Sequence, residues 1–170
     1  MNLQETAFSA PGSATAPAGV LGAYLDGLGL VERLHRLLLD VIKDEFERVG
    51  VLDINAVQAL LLFNIADNEV TAGELRSRGY YQGSNVSYNL KKLVEGGYMH
   101  HQRCAADRRA VRVRLTGKGR EVRATVGALF ARHAEALESR GVIPPDRLAE
   151  VNQTLRRLER FWTDQIRYIY

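Results

Sequence analysis

The sequence predicts a mainly α-helical protein that carries one small β-hairpin. Apolar residues recur every three or four positions over most of the 170-residue chain, as they do on the buried side of helices. Around residues 98–104 and 111–115 this period gives way to a pattern that is typical of strands. The length suits one domain, or one domain with an extended oligomer surface.

Composition excludes several classes of protein. The chain is 46% hydrophobic and 25% charged, which is ordinary for a globular protein and too apolar for a disordered one. Its strongest apolar runs, residues 37–39 and 60–63, fall far short of the ~20 residues of a membrane span, and the N-terminus lacks a secretory signal pattern. A single cysteine, Cys104, allows neither an intramolecular disulfide nor a Cys-rich zinc site. We therefore expect a cytoplasmic protein without a metal or cofactor.

The charge is distributed unevenly along the chain. Residues 71–120 contain eleven Lys and Arg against three acids, a net charge of +8, whereas the remaining residues total −5. Such an asymmetry predicts a polyanion-binding face carried by one part of the protein. The alternative is a solvated basic surface with no partner.

Glycines and capping residues delimit the first helices. Residues 1–18 are rich in Ala, Ser, Pro and Gly and are predicted to be a flexible tail. A long helix is predicted over residues 20–49, with weakened first turns and with Gly50 ending it in a left-handed conformation. A second helix is predicted to begin with Asp53 as its cap and to reach about Ala66.

Two shorter helices follow. The Thr71–Glu74 capping box predicts one over residues 72–78, and Ser84 is predicted to cap another that ends at about Glu95, before two glycines. One side of this second short helix is apolar. Its remaining surface is predicted to consist of polar residues, namely Asn85, Tyr88, Asn89, Lys91 and Lys92.

The chain then forms the hairpin and two long helices. The predicted strands, residues 98–104 and 111–115, are joined by a polar loop that includes Arg108 and Arg109. Thr116 is predicted to cap a helix reaching about Arg140, and Asp146 a final helix reaching nearly to the end of the chain.

Two short helices followed by a basic hairpin predict a winged helix-turn-helix over residues 53–116. The second of these helices suits the ~12 Å major groove of DNA, and the arginines of the hairpin tip suit a narrow minor groove. The long helices have more apolar surface than one small winged helix can cover. Residues 20–50 and 117–170 are therefore predicted to form a helical dimerisation region, contributed by both termini.

At this point the sequence resembles the MarR family of bacterial transcription regulators. Residues 107–119, DRRAVRVRLTGKG, resemble the family's wing signature D-x-R-x-x-x-V-x-L-T-x-x-G. Ser84-Asn85-Val86-Ser87, with Leu93 and Gly97-Tyr98, matches its recognition helix and glycine exit. Residues 79–93 resemble more particularly an alphaproteobacterial branch that includes LdtR-like and PetP-like regulators.

The resemblance implies a homodimer that binds double-stranded DNA at a palindromic operator, usually as a repressor. In many members a small phenolic or aromatic effector releases the DNA. Carried over residue by residue, the resemblance assigns DNA contacts to the recognition helix and makes Arg109 the wing arginine, oriented by Asp107. The complete predicted DNA-binding set is Ser84, Asn85, Ser87, Tyr88, Asn89, Lys91, Lys92, Asp107, Arg108 and Arg109.

Several positions keep alternatives. For Lys91 and Lys92, phosphate contact and simple solvent exposure are equally open. Tyr88 stands where relatives often have Arg, so it cannot make a bidentate pair with guanine. Cys104 is predicted to be structural, with redox sensing as the alternative.

Other functions are weighed against DNA binding. His100 and His101 are adjacent on a strand and face opposite sides, which disfavours a shared metal ion. The sequence contains no nucleophile elbow, phosphate-binding glycine loop or zinc-protease motif, so an enzyme is not expected. The alternative function is a winged-helix module for protein assembly or nonspecific nucleic-acid binding.

Overall fold

The computed structural model describes residues 19–65, 70–71, 83–103 and 111–169. The helices are α1 (Val20–Arg48), α2 (Ala56–Ile65), α3 (Gly83–Glu95), α4 (Gly117–Ser139) and α5 (Pro145–Ile169), and the strands are β1 (Val70–Thr71), β2 (Met99–Arg103) and β3 (Val111–Leu115). This architecture confirms the predicted fold class. The predicted tail, the helix over residues 72–78 and the tip of the hairpin lie outside the described residues. None of the described helices is long and apolar enough to cross a membrane.

The chain divides into two compact units, residues 1–41 and 42–170, and α1 contributes to both. In the first unit, α1 is an uninterrupted helix despite its two internal glycines, Gly27 and Gly29. Many of its large apolar side chains are exposed in the single chain, among them Leu21, Leu25 and Leu34. The helix therefore gains little stability from burial within this unit alone.

The core of the second unit lies between α2 and α4. Helix α2 is apolar around most of its circumference, and its Leu61, Leu62 and Ile65 are almost fully buried. Val126 of α4 is also fully buried. Phe63 and Phe130 meet edge to face, with ring centroids 5.1 Å apart and an interplanar angle of 87°. Burial of these side chains supplies the main hydrophobic stabilisation of this unit.

The sheet has three antiparallel strands in the order β1-β3-β2. The five residues of β2 pair with the five of β3, from Met99 opposite Leu115 to Arg103 opposite Val111. On the other edge of β3, Val70 pairs with Val113 and Thr71 with Arg112. The sequence predicted the β2–β3 hairpin but not β1. A two-residue strand is too short to show an alternating pattern.

The helix ends confirm some predicted caps and correct others. Gly50 is left-handed, with a φ of +75°, and its amide donates to the carbonyl of Glu47, as predicted for the end of α1. Thr116 caps α4 by accepting a hydrogen bond from the amide of Gly119 at 3.1 Å, which is also as predicted. The predicted cap Asp146 lies instead in the first turn of α5, which begins at Pro145.

The predicted cap of α2, Asp53, is wrong. The side chain of Asn55 accepts from the amide of Gln58 at 2.9 Å, and the Gln58 side chain accepts in return from the amide of Asn55 at 3.2 Å. This reciprocal pair is a capping box two residues after the predicted cap. The Asp53 carboxylate pairs with Lys118 instead, at 2.9 Å.

One carboxylate is buried near the end of α1. Glu45 receives two hydrogen bonds from Arg48, both of 2.8 Å, and one from Arg132 of α4 at 2.5 Å. The hydrogen bonds from Arg48, together with the one from Arg132, outweigh the effect of burial and lower the pKa of Glu45 to about 2. Glu45 therefore stays ionised and ties α1 to α4 within the second unit.

Candidate nucleic-acid interface

Helix α3 separates its apolar and polar residues onto two faces. Val86, Leu90 and Leu93 are between 1% and 7% exposed and pack into the core. The opposite side of the helix carries exposed polar side chains, and Tyr88 is 60% exposed although it is large and aromatic. The structure thus brings the following predicted residues together on one accessible face: Asn85, Ser87, Tyr88, Lys91 and Lys92.

Asn89 does not belong to this face, so its predicted position there is wrong. It is only 8% exposed, and its Nδ2 donates to the backbone carbonyl of Asn85 at 2.9 Å. This hydrogen bond satisfies the buried amide of Asn89. Asn89 is therefore buried and bonded to the backbone of its own helix, away from the exposed face.

The first turn of α3 starts earlier than predicted. The helix begins at Gly83, so Ser84 lies within the first turn and not at the cap. The side chain of Ser84 is outside the described side chains. The same holds for the predicted residues Asp107, Arg108 and Arg109, which lie beyond the described part of the hairpin.

Two lysines on α3 share one acid. Lys92 Nζ lies 3.0 Å from one carboxylate oxygen of Glu95, and Lys91 Nζ lies 3.8 Å from the other. The hydrogen bond with Glu95 raises the pKa of Lys92, and the same hydrogen bond lowers that of Glu95. Both lysine side chains are exposed, which makes these ion pairs weak and easily exchanged for other anions.

The hairpin places basic side chains on its exposed face. His100 pairs with Arg114 across the two strands, and Arg112 follows two residues away on the same side of β3. All three residues are exposed. His101 lies on the opposite face, beside a cleft of about 360 Å³ whose lining includes Leu90 and Val94 of α3 and Val113. No three metal-ligating side chains cluster within the described ranges.

The C-terminal end of α3 has a Schellman motif. The amide of Tyr98 donates to the carbonyl of Leu93 at 2.9 Å, and that of Gly97 donates to Val94 at 3.0 Å. Gly97 has the left-handed φ of +75° that this motif requires. The hydroxyl of Thr116 then donates to the carbonyl of Gly97 at 2.8 Å, which ties the end of α3 to the start of α4.

Sequence reasoning missed Asp53 and Lys118 as partners. Lys118 was recognised only as part of the wing signature, and Asp53 only as a helix cap. The two residues are 65 positions apart in the chain, so no local pattern links them. Their contact depends on the packing of α4 beside the exit of α3.

The described geometry is that of a winged-helix DNA-binding protein. Residues 54–119 match the family described as "Winged helix DNA-binding domain". The chain is also 36% identical over 148 residues to the exopolysaccharide II synthesis transcriptional activator ExpG of Rhizobium meliloti (strain 1021). That alignment covers 87% of this chain and 76% of ExpG.

Solved structures show the same fold. A mutant E. coli MarR complexed with operator DNA aligns with 82% of this chain and 99% of its own, with a TM-score of 0.63 and 20% identity. Staphylococcus aureus MarR in complex with salicylate and kanamycin aligns with 84% of this chain and 93% of its own, with a TM-score of 0.67 and 20% identity. The chain belongs to the MarR family of winged helix-turn-helix proteins, and it is a DNA-binding transcriptional regulator.

Proposed function

We propose that this protein is a homodimeric regulator that recognises a palindromic operator by its sequence. Helix α3 enters the major groove, where Asn85, Ser87 and Tyr88 contact base edges and phosphates. Arg109 of the wing enters the adjacent minor groove, oriented by Asp107. A dimer presents two such helices about one turn of DNA apart, which matches two half-sites.

The exposed face of α3 is the observation that carries this proposal. The apolar residues of α3 are packed in the core. A ligand can therefore contact Asn85, Ser87 and Tyr88 without any loss of packing. An exposed asparagine can form a bidentate pair with adenine, and an exposed tyrosine can contact a thymine methyl or a phosphate. Lys91 is close enough on the same face to add a phosphate contact.

The exposed apolar residues support the homodimer. In the first unit they include Leu21, Leu25 and Leu34, as described above. In the second unit, α5 exposes a series at helical spacing that would be costly to leave in water: Leu148, Val151, Leu155, Trp162 and Ile166. Pairing with a second copy would cover both sets of residues.

A response to a small aromatic effector is also part of the proposal. A cavity of about 330 Å³ lies between the end of α1 and the start of α4, lined by Phe46, Tyr98 and Val122 among others. Its volume lies at the small end of the range for ligand pockets. Salicylate is the first probe, because S. aureus MarR was solved with it.

Whether the protein activates or represses transcription depends on where the operator lies relative to the promoter. The resemblance to the family predicts a repressor, whereas the relative ExpG is named an activator. The similarity to ExpG favours activation, because it extends over most of both chains. A reporter fused to a promoter that contains the operator distinguishes the two by the change in expression when the protein is supplied.

Selection from a random duplex pool at physiological salt tests the proposal. The expected result is an enriched palindrome with half-sites about one DNA turn apart. Binding without enrichment, abolished by modest salt, would favour the alternative of a nonspecific nucleic-acid module. A folded dimer that binds no DNA would favour the protein-assembly alternative.

A further inference from the structure

Lys118 lies in a junction where three segments of the second unit meet. Its ammonium donates to Asp53 Oδ2 at 2.9 Å and to the carbonyl of Gly96 at 3.2 Å. It also lies 4.0 Å from the centroid of the Tyr98 ring, a distance suited to a cation–π interaction. Asp53 precedes α2, Gly96 and Tyr98 follow α3, and Lys118 belongs to the first turn of α4.

We propose that Lys118 is a positioning residue for operator recognition, which fixes the C-terminal end of α3 through Gly96 and Tyr98 with Asp53 as its anchor. This inference rests on the proposed function, since it concerns how helix α3, which is proposed to enter the major groove, is positioned. It assigns Lys118 no contact with DNA, although the residue is a lysine within the most basic part of the chain.

The contacts of Lys118 explain why it is not assigned to a phosphate. Two of the three N–H bonds of its ammonium already have acceptors, and the Tyr98 ring covers another side. Binding a phosphate would require it to give up the carbonyl of Gly96 or the carboxylate of Asp53. Lys91 differs in this respect, because its only described partner is Glu95 at 3.8 Å.

The junction remains charged at neutral pH. The hydroxyl of Tyr98 is buried and makes no hydrogen bond to a described residue. It lies close enough to Asp53 to affect its carboxylate. This hydroxyl and Lys118 lower the pKa of Asp53, whereas Asp53 and Tyr98 raise the pKa of Lys118. The ion pair is half exposed, so its effect on overall stability is small.

A small tilt of α3 at this junction produces a larger displacement at the N-terminal end of the helix, where Asn85 lies. Asn85 lies eleven residues before Gly96, or about 16 Å along the helix axis. A tilt of about 5° at the exit therefore displaces the first turns by about 1.4 Å, enough to lengthen a base-edge hydrogen bond beyond its useful range. Positioning by Lys118 thus affects sequence recognition more than overall folding.

The first test compares Lys118→Gln with Lys43→Gln, which removes an equal charge from an exposed lysine paired with Glu47. Affinity for the selected operator and for random duplex is measured at several salt concentrations. We expect Lys118→Gln to weaken operator binding about tenfold, the scale of one lost base contact, with little change on random duplex. The slope of log affinity against log salt should stay at the wild-type value.

Asp53→Asn supplies a second variant that keeps the lysine. If the two residues act as one unit, the double variant Asp53→Asn/Lys118→Gln should bind the operator no worse than the poorer single variant. Additive losses would overturn the shared role. Hydrogen exchange of the free protein adds a readout without DNA: the amides of Gly97 and Tyr98 should lose protection while those of α2 keep theirs.

The outcomes separate the inference from the proposed function. If the wild type enriched no sequence, the proposed function and the inference would both fail. If the wild type bound its operator and Lys118→Gln bound equally well, only the inference would be overturned. A salt slope lowered by about 0.9, with equal losses on operator and random duplex, would identify Lys118 as a phosphate contact and would also overturn it.

Discussion

Gly119 approaches Tyr98 so closely that a Cβ at residue 119 would lie 2.2 Å from the Tyr98 carbonyl oxygen. That carbonyl also accepts a hydrogen bond from the amide of Thr116 at 3.0 Å, which prevents it from moving aside. The threonine and the last glycine of the L-T-x-x-G sequence therefore have distinct structural roles. Thr116 caps α4, and Gly119 leaves room for the backbone that leaves α3.

Gly119→Ala is expected to destabilise the protein by about 3 kcal/mol, because the clash is with backbone and not with a flexible side chain. Chemical denaturation measures the loss. Gly117→Ala is the matched control, since a Cβ there meets nothing within 4 Å. It should leave stability unchanged or raise it by about 0.5–1 kcal/mol. Equal effects of the two variants would contradict the close contact.

Glu45→Gln is expected to lower stability at neutral pH by about 2–3 kcal/mol. The folded-state pKa of about 2 lies below the ordinary value of 4.5, so the unfolded chain takes up a proton first as the pH falls. The contribution is therefore complete above about pH 5 and is lost as the pH falls towards 2. Unfolding curves of wild type and variant should converge over that window.

Glu47→Gln controls for the loss of one acid from α1. Glu47 is exposed and paired with Lys43 at 3.6 Å, so its replacement should change stability by no more than about 0.5 kcal/mol. A gap between wild type and Glu45→Gln that stayed constant down to pH 2 would show that the charge of Glu45 is not the stabilising feature.

Asn85→Ala and Tyr88→Ala are each expected to cost about 1–3 kcal/mol of binding to the operator, and much less on random duplex. Both side chains are exposed and outside the core, so the variants should unfold like wild type. Equilibrium binding to both DNA probes checks this, with Asn152→Ala on the exposed surface of α5 as the control. Equal losses on both probes would remove these residues from sequence recognition.

Arg109→Ala is expected to weaken operator binding without unfolding the protein. A guanidinium in a narrow minor groove is favoured by the negative potential there, and its removal should reduce the salt slope by about 1. Arg156→Ala removes an equal charge from an exposed position on α5. Unchanged affinity of Arg109→Ala at matched salt would count against the wing assignment.

Leu155→Glu is expected to weaken the homodimer by about 2 kcal/mol or more, because it places a charge among the exposed apolar residues of α5. Gln153→Glu adds the same charge about 200° around the helix and should leave the dimer intact. Sedimentation at micromolar concentration distinguishes the two. Monomeric wild type, or equal behaviour of the two variants, would contradict a dimer interface on this face.

The exposed polar face of α3 could be predicted because helical period alone separates its apolar and polar residues. Asn89 was misplaced because its burial depends on the packing around it and its polarity suggests exposure. The cap of α2 was open to prediction, since Asn55 and Gln58 have the spacing of a capping box. The choice of Asp53 as the cap overlooked this Asn55–Gln58 spacing.

Long-range contacts could not be predicted in the same way. Glu45 and Arg48 have the spacing of a helical ion pair, but Arg132 is 87 residues away from Glu45. The burial of Glu45 follows only from the packing of α4 beside α1 within the second unit. Lys118 and Asp53 are a similar case, because the local sequence pattern around each residue gives no sign of the other.

The separation of the two faces of α3 has an evolutionary consequence. Substitutions at Asn85, Ser87 or Tyr88 alter the exposed face of the helix without disturbing Val86, Leu90 or Leu93 in the core. On the proposed function, a lineage can therefore change its target promoters by single steps that cost little folding free energy. The same property would allow a library confined to these three positions to be screened for new operators on an unchanged scaffold.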